Sequence, residues 1–190
     1  MNKNEIINSL TKIINKEDIV FEENKLSKYN KDWRGFYNYN SICLVFPNNK
    51  NEISKILKFC FTHNIKVVPQ SGNTSLTGAS VPSKDDYEII INLKKMNKIL
   101  SIDKTNMVVE VESGVILDDL KNYIKKNQFY FPLSLSSSGS CLIGGNIATN
   151  AGGINALKYG TIRNSIQGLE VVLANGSILE DMSSMKKNNT

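Results

Sequence analysis

CLIGGNIATNAGG, residues 141–153, holds four glycines, two alanines, two asparagines and a threonine around only three larger apolar side chains, Leu142, Ile143 and Ile147. Such a stretch gives up core packing and carries a high backbone entropy cost on folding. Close approach of the backbone to a ligand is what small residues permit and large ones block, so this stretch is a candidate binding element. The same character extends on both sides, FPLSLSSSGSCLIGGNIATNAGGINALKYGTIRN over residues 131–164, with Ser136, Ser137, Ser138 and Ser140 as flanking hydroxyls.

A second loop of this kind lies earlier. VVPQSGNTSLTGASVP, residues 67–82, follows an apolar segment directly and offers exposed N–H groups and hydroxyls from Gly72 to Gly78. Successive N–H groups in tight turns make anion-binding concavities. The spacing is not GxxxxGK and no lysine follows, which excludes a P-loop; GxGxxG is also missing, so a Rossmann dinucleotide site has no support. Two long small-residue loops in one short chain suit an extended ligand with phosphates and a flat ring.

Around the loops the pattern is α+β. Ile6, Ile7, Leu10, Ile13 and Ile14 make an amphipathic helix over residues 4–14. KYNKDWRGFYNYN, residues 28–40, reads as an extended, aromatic-rich loop. SICLVFP (41–47), IKVVP (65–69), YEIIINL (87–93), MNKILSID (96–103) and NMVVEVESG (106–114) read as strands. A helix with Ile53, Ile56, Leu57, Cys60 and Phe61 on one face starts at a cap from Asn48 or Asn51. VILDDLKNYIKKN (115–127) is a further helix, and LEVVLANGSIL (169–179) is a hairpin whose Asn175-Gly176 signals a type I′ turn. The expected organisation is a helix and lead-in over 1–40, then a domain over 41–190 with lobes at about 41–103 and 104–190. A break falls near Ser101 to Lys104. EDMSSMKKNNT (180–190) has no terminal element, so it is a frayed tail or the point where a longer chain continues.

Composition removes other classes. The net charge of +5 is spread along the chain and mixed with acids, which makes a solvated surface and not a nucleic-acid groove. YNKDWRGFYNY (29–39) is the one segment that an RNA-binding reading would use. No apolar run approaches the ~20 residues of a bilayer span and no secretory signal opens the chain, so a cytoplasmic protein is expected. Three cysteines far apart and a lone histidine, His63, rule against a disulfide framework, a metal site or a Ser/His/Asp triad.

PQSGNTSLTGASVP, VVEVESGVILDDL and FPLSLSSSGSCLIGGNIATNAGGINALKYGTIRNSIQGLEVVLANGSIL, in that order and spacing, resemble the FAD-binding domain of FAD-linked oxidases of the PCMH-type, or vanillyl-alcohol oxidase, fold. The likeness points to the D-2-hydroxyglutarate and D-lactate dehydrogenases and the glycolate oxidase subunit. It runs from about Lys31 to Leu179, and DWRGFY (32–37) is similar to the segment preceding the domain in the hydroxyglutarate branch. The resemblance implies a two-lobed α+β flavin domain. Pro69, Gly72, Asn73, Thr74, Ser75, Leu76 and Gly78 would wrap the pyrophosphate. Pro132, Leu133, Gly139, Ser140, Gly144, Gly145, Asn146, Thr149, Asn150, Gly152 and Gly153 would follow the ribityl chain and isoalloxazine. Tyr159 and Gly160 would close the flavin side, and Val172 would meet the adenine.

With no histidine in the first loop, FAD would be held without a covalent link. Ser71 and Ser75 stand where the family usually has glycine and Gln70 where it has arginine; a Cβ at positive φ costs about 1 kcal/mol or more. The implied activity is oxidation of a small D-2-hydroxy acid, with hydride passing to flavin N5 and on to an unidentified acceptor. The implied substrate-binding arginine, metal ligands and glutamate belong to a C-terminal part outside these residues, in cis or in trans, so no catalytic or metal residue is assigned here. The alternative is a truncated, catalytically incomplete FAD-binding fragment.

Overall fold

The computed structural model describes residues 1–84 and 87–182. From Ser183 onward the expected tail lies outside the described residues. The architecture is α+β with mixed sheets. The chain divides into two units, Met1–Lys95 with Val171–Leu179, and Met96–Glu170 with residues 180–182. Ser101 to Asp103, read from the sequence both as the end of a strand and as part of a break, lie in a strand, and the division falls before Met96.

The first unit is built on YEIIINL. Its β4 (Glu88–Asn92) is buried at every position and lies inside a four-stranded sheet of order β1-β2-β4-β3. β2 (Cys43–Val45) and β3 (Lys66–Gln70) run parallel to it, while β1 (Ile19–Val20) is antiparallel to β2. A parallel strand covered on both faces needs apolar side chains pointing both ways, and an unbroken isoleucine run supplies them. Ile89 and Ile91 pack with Ile6 and Leu10 of α1 (Lys3–Leu10) and with Ile56 and Cys60 of α3 (Lys50–Thr62). Ile90 joins Leu44, Phe46, Val68 and Leu26 of α2 (Glu23–Asn30). Each isoleucine or leucine so buried contributes roughly 1.5–3 kcal/mol.

Three local expectations change. Residues 23–30 are helical, where the start of the aromatic stretch reads as loop; Leu26 is the only apolar side chain that α2 buries, so its stripe is too thin to see. The cap of α3 is Asn49, whose side chain accepts the Glu52 N–H at 3.0 Å. Asn48 is engaged elsewhere, donating to the buried Asp18 carboxylate at 2.7 Å. The loop of the hairpin formed by β7 (Leu169–Val172) and β8 (Ile178–Asp181) is not type I′, because only Gly176 has positive φ, at 86°. Gly176 N donates to Leu173 O and Leu173 N to Ser177 O, both 2.8 Å, the bonding of a longer loop with one left-handed glycine. The Gly176 carbonyl accepts from Ser54 Oγ of α3, and a Cβ there would lie 2.6 Å from Ser54 O.

In the second unit β5 (Ile99–Asp103) and β6 (Val108–Val111) form an antiparallel pair with a bulge between Ile99 and Ser101. α4 (Leu117–Lys126) buries Leu117, Leu120 and Ile124, with acids in its first turn and lysines in its last, as the helix dipole favours. These side chains meet Val115, Leu133, Cys141, Ile143 and Ile162 in one cluster. Residues 143–148, inside the stretch read as loop, form a short helix α5 (Ile143–Ala148), followed by α6 (Ala156–Tyr159). Among the described residues no helix is long and apolar enough to cross a membrane.

Candidate functional site

The first loop leaves β3 at Gln70, which is 2% exposed. Its amide nitrogen donates to Tyr29 O (2.9 Å) and Ser80 O (2.7 Å), and its oxygen accepts from Asn92 Nδ2 (3.0 Å). Asn92 Nδ2 also reaches Ser71 O at 3.0 Å. Both ends of the loop are therefore tied to buried amides on adjacent strands. Inside it, Asn73 has a φ of 51°; its Oδ1 accepts from Ser80 Oγ and its Nδ2 donates to Lys31 O, both at 2.8 Å. The Ser75 and Thr77 hydroxyls lie 2.9 Å apart, and Thr77 N donates to Ser75 Oγ. Gly78, φ 72°, lies under the Tyr37 ring, where a Cβ would sit 2.6 Å from Cδ2.

The consequence is chemical. Among the described residues, none accepts the main-chain N–H of Gly72, Asn73, Thr74, Ser75 or Leu76. Consecutive free donors in a loop shaped by its side chains are suited to an anion such as a diphosphate. Ser71 and Ser75 do not occupy positive φ; Asn73 and Gly78 do. The serines that replace the family's glycines thus carry no left-handed strain. Pro69 lies on β3, one residue before its end, and is exposed.

The lead-in beside this loop is a locked turn. Asp32, 2% exposed, accepts from Tyr37 N at 2.8 Å and Arg34 N at 3.2 Å, while Gly35 N donates to Asp32 O. Desolvation pushes the Asp32 carboxyl upward, but the N–H groups of Tyr37, Arg34 and Phe36 outweigh it and hold its pKa below the usual value. Trp33 and Phe36 project into solvent from this turn, 73% and 74% exposed.

In the second loop, small residues serve mainly contacts of chain on chain. Gly153, φ 69°, bridges to Ser134, and a Cβ there would lie 2.0 Å from Ser134 O. Gly144 N donates to Ser113 O at 2.8 Å, and its Cβ would meet Ser113 Cβ at 2.7 Å. Gly160, φ 78°, crowds Asn164, and Gly152 lies against Ala156 and Thr161. Gly139 has more room, with 3.7 Å to Asp118 Oδ2. The serine run is a turn: Ser138 Oγ donates to Leu135 O (2.6 Å), and Ser137 O accepts from Ser140 N (2.9 Å) and Cys141 N (2.8 Å). Ser138 O and Cys141 O accept from Asp118 N and Leu117 N, which closes the start of α4.

Among the other expected site residues, Leu133 is 4% exposed and belongs to the core, and Asn146 is buried with its amide 3.5 Å from Cys141 Sγ. Thr149 caps α5 through Gly145 O, and the Asn150 side chain (φ 51°) accepts from Arg163 N. Pro132 O accepts from Asn155 Nδ2, which also reaches Tyr130 OH; the Tyr130 and Tyr159 rings are 5.9 Å apart and exposed. Val172 is half-buried in β7. Gln70, Asn92, Ser80 and Tyr37 shape the first loop but are not among the expected site residues; Gln70, Ser80 and Tyr37 lie inside the quoted motifs, and only their contacts with Tyr29, Asn73 and Gly78 reveal the role.

Among the described residues, no group of three or more His, Cys, Asp or Glu is placed to hold a metal. Cys43, Cys60 and Cys141 are buried free thiols, and burial pushes Cys43 and Cys60 up to about 12.

A family model described as "FAD binding domain" matches residues 41–181. Over 178 residues, the chain is 43% identical to a probable mitochondrial D-2-hydroxyglutarate dehydrogenase of Oryza sativa subsp. indica, covering 94% of this chain and 32% of that protein. The corresponding Arabidopsis thaliana protein is 41% identical over the same shares. A putative mitochondrial D-lactate dehydrogenase of Schizosaccharomyces pombe is 41% identical over 87% of this chain and 31% of its own length. The chain thus spans about a third of the curated relatives it matches. Among solved structures, alkyldihydroxyacetonephosphate synthase superposes with a TM-score of 0.86 at 19% identity, over 99% of this chain and 36% of that one. p-Cresol methylhydroxylase gives 0.68 at 25% identity, over 93% and 34%. These two share the fold.

Proposed function

Because the chain belongs to the FAD binding domain family and FAD is its cofactor, we propose that it is the flavin-binding part of an oxidoreductase acting on a small D-2-hydroxy acid. The observation that carries this reading is the row of free main-chain donors at residues 72–76, held open by Gln70, Asn73 and Asn92. A neutral row of dipoles fixed in advance takes a diphosphate without reorganising. In this reading residues 72–78 with Pro69 receive the pyrophosphate. The small-residue surface from Pro132 to Gly153, with Tyr159 and Gly160, follows the ribityl chain and ring, and Val172 borders the adenine. A loop with Asn73 and Thr74 and no histidine holds the cofactor without a covalent bond.

Bound FAD supplies a two-electron acceptor for the hydride of the alcohol carbon. This chain's contribution is to bind and orient that group. The residues that orient a hydroxyacid and the site of the final electron acceptor are assigned to the part of the relatives' length that lies outside these residues, supplied in cis or in trans. Three buried free thiols favour a reducing compartment, and a cytoplasmic location is the one to test by fractionation.

Reconstitution decides the matter. The purified chain is titrated with FAD, and the loaded protein is assayed with D-2-hydroxyglutarate and D-lactate using an artificial electron acceptor. FAD uptake with turnover supports the enzyme. FAD uptake without turnover selects the second reading, an FAD-binding fragment, which the one-third coverage of its relatives favours. Absence of uptake overturns both.

A further inference from the structure

The first loop is braced from outside the matched domain, which begins at residue 41. Three separate contacts come from residues 29–37. Tyr29 O accepts from Gln70 Nε2 at 2.9 Å, Lys31 O accepts from Asn73 Nδ2 at 2.8 Å, and the Tyr37 ring covers Gly78. The brace is itself fixed. Asp32 gathers the N–H groups of Arg34 and Tyr37, Lys31 bridges to Asn38, and Ser41 Oγ donates to the buried Asn30 Oδ1 at 2.7 Å.

Asn73 is central to this. It is a non-glycine residue at φ 51°, and its amide joins the lead-in carbonyl of Lys31 to Ser80 across the loop. Its own N–H is one of the five free donors. Without the two side-chain bonds, a stretch this rich in glycine, serine and threonine would sample many shapes, and ordering them would be charged against the ligand's affinity.

We infer that residues 29–37 are a positioning element for FAD, holding residues 72–76 in their anion-accepting shape through Asn73, Gln70 and Gly78 before any ligand arrives. The inference rests on the assignment of the pyrophosphate to residues 72–76. These are positioning residues: none of Tyr29, Lys31 or Tyr37 needs to touch the cofactor.

The test uses the full chain and two readouts, FAD affinity and amide hydrogen exchange at residues 72–76, with thermal stability measured alongside. Asn73→Gly keeps the left-handed backbone accessible while removing both side-chain bonds. It is expected to weaken FAD binding about tenfold and to speed exchange at residues 72–76 in the free protein, with little change in melting temperature. Tyr37→Ala, which uncovers Gly78, is expected to weaken binding several-fold, and Tyr37→Phe, which keeps the ring, to recover it. A role confined to stability would lower the melting temperature of Tyr37→Ala while the folded fraction bound FAD as tightly as before, and that result overturns the inference alone. If FAD fails to protect residues 72–76 from exchange in the unmodified chain, the pyrophosphate assignment falls and the inference with it.

Discussion

The two small-residue loops look alike in sequence and are built in opposite ways. The first is shaped by side chains: Gln70, Asn73, Ser80 and Asn92 bond across it, and its main chain is left with donors to offer. The second is shaped by main chain: carbonyls of Ser113, Ser134, Leu135 and Ser137 take up its N–H groups or press against its glycines. A glycine-rich stretch can therefore mean an open set of donors or a tightly folded backbone. What separates them is where the hydrogen bonds go.

The largest effect expected from this contrast is at Gly153. Alanine there must fit a Cβ 2.0 Å from Ser134 O at φ 69°, and should cost at least ~2 kcal/mol, read as a lower urea midpoint. An unchanged midpoint would show that the second loop is not closed by chain-on-chain contact. Gly78→Ala in the first loop meets a side chain instead, the Tyr37 ring at 2.6 Å. It should cost ~1–2 kcal/mol, mostly backbone strain. Combining it with Tyr37→Ala should return the steric part, whereas no second substitution relieves Gly153→Ala, because a carbonyl cannot be deleted. Additive losses at Gly78 and Tyr37 would remove the distinction.

Acid offers a gentler separation. The Asp32 carboxyl is held below its usual pKa by the N–H groups of Tyr37, Arg34 and Phe36, against the opposing effect of desolvation. A group whose folded pKa is depressed stabilises the fold above its unfolded value, near 3.9, and loses that contribution as pH falls through the folded value. FAD affinity of the native chain should then decline below about pH 4. Asp32→Asn should be weaker already at neutral pH and show less of that acid dependence. Parallel pH profiles for the two proteins would detach the lead-in turn from the first loop. The smallest difference is between two serines. Ser138→Ala loses a part-buried bond to Leu135 O and should cost about 1 kcal/mol, while Ser75→Ala loses exposed bonds to the Thr77 hydroxyl and N–H and should cost less than half of that.

Strands β2, β3 and β4 were legible because their signal is local, while the two-residue β1 was not. A run of isoleucines closed by Asn92 reads as a strand, and the stripe of α4 announces a helix. α2 was hidden because it buries one leucine, and α5 because its glycines imitate a loop. Both loops could be found from composition, since small residues cluster there. Their opposite construction could not, because Gln70, Asn92, Lys31 and Ser113 act across gaps in the chain that no motif spans. The serines at 71 and 75 show the same limit: whether a Cβ is tolerated depends on a backbone angle, and the left-handed positions turned out to be Asn73 and Gly78.

The tip of the late hairpin has a bearing on how the molecule is made. Residues 171–179 belong to the first unit, with Gly176 seated on α3 beside Ser54. During synthesis that helix must wait, its Ser54 edge wet, until residues 96–170 and the hairpin tip after them have left the ribosome. Completion of the N-terminal part is thereby tied to translation of residues 96–179.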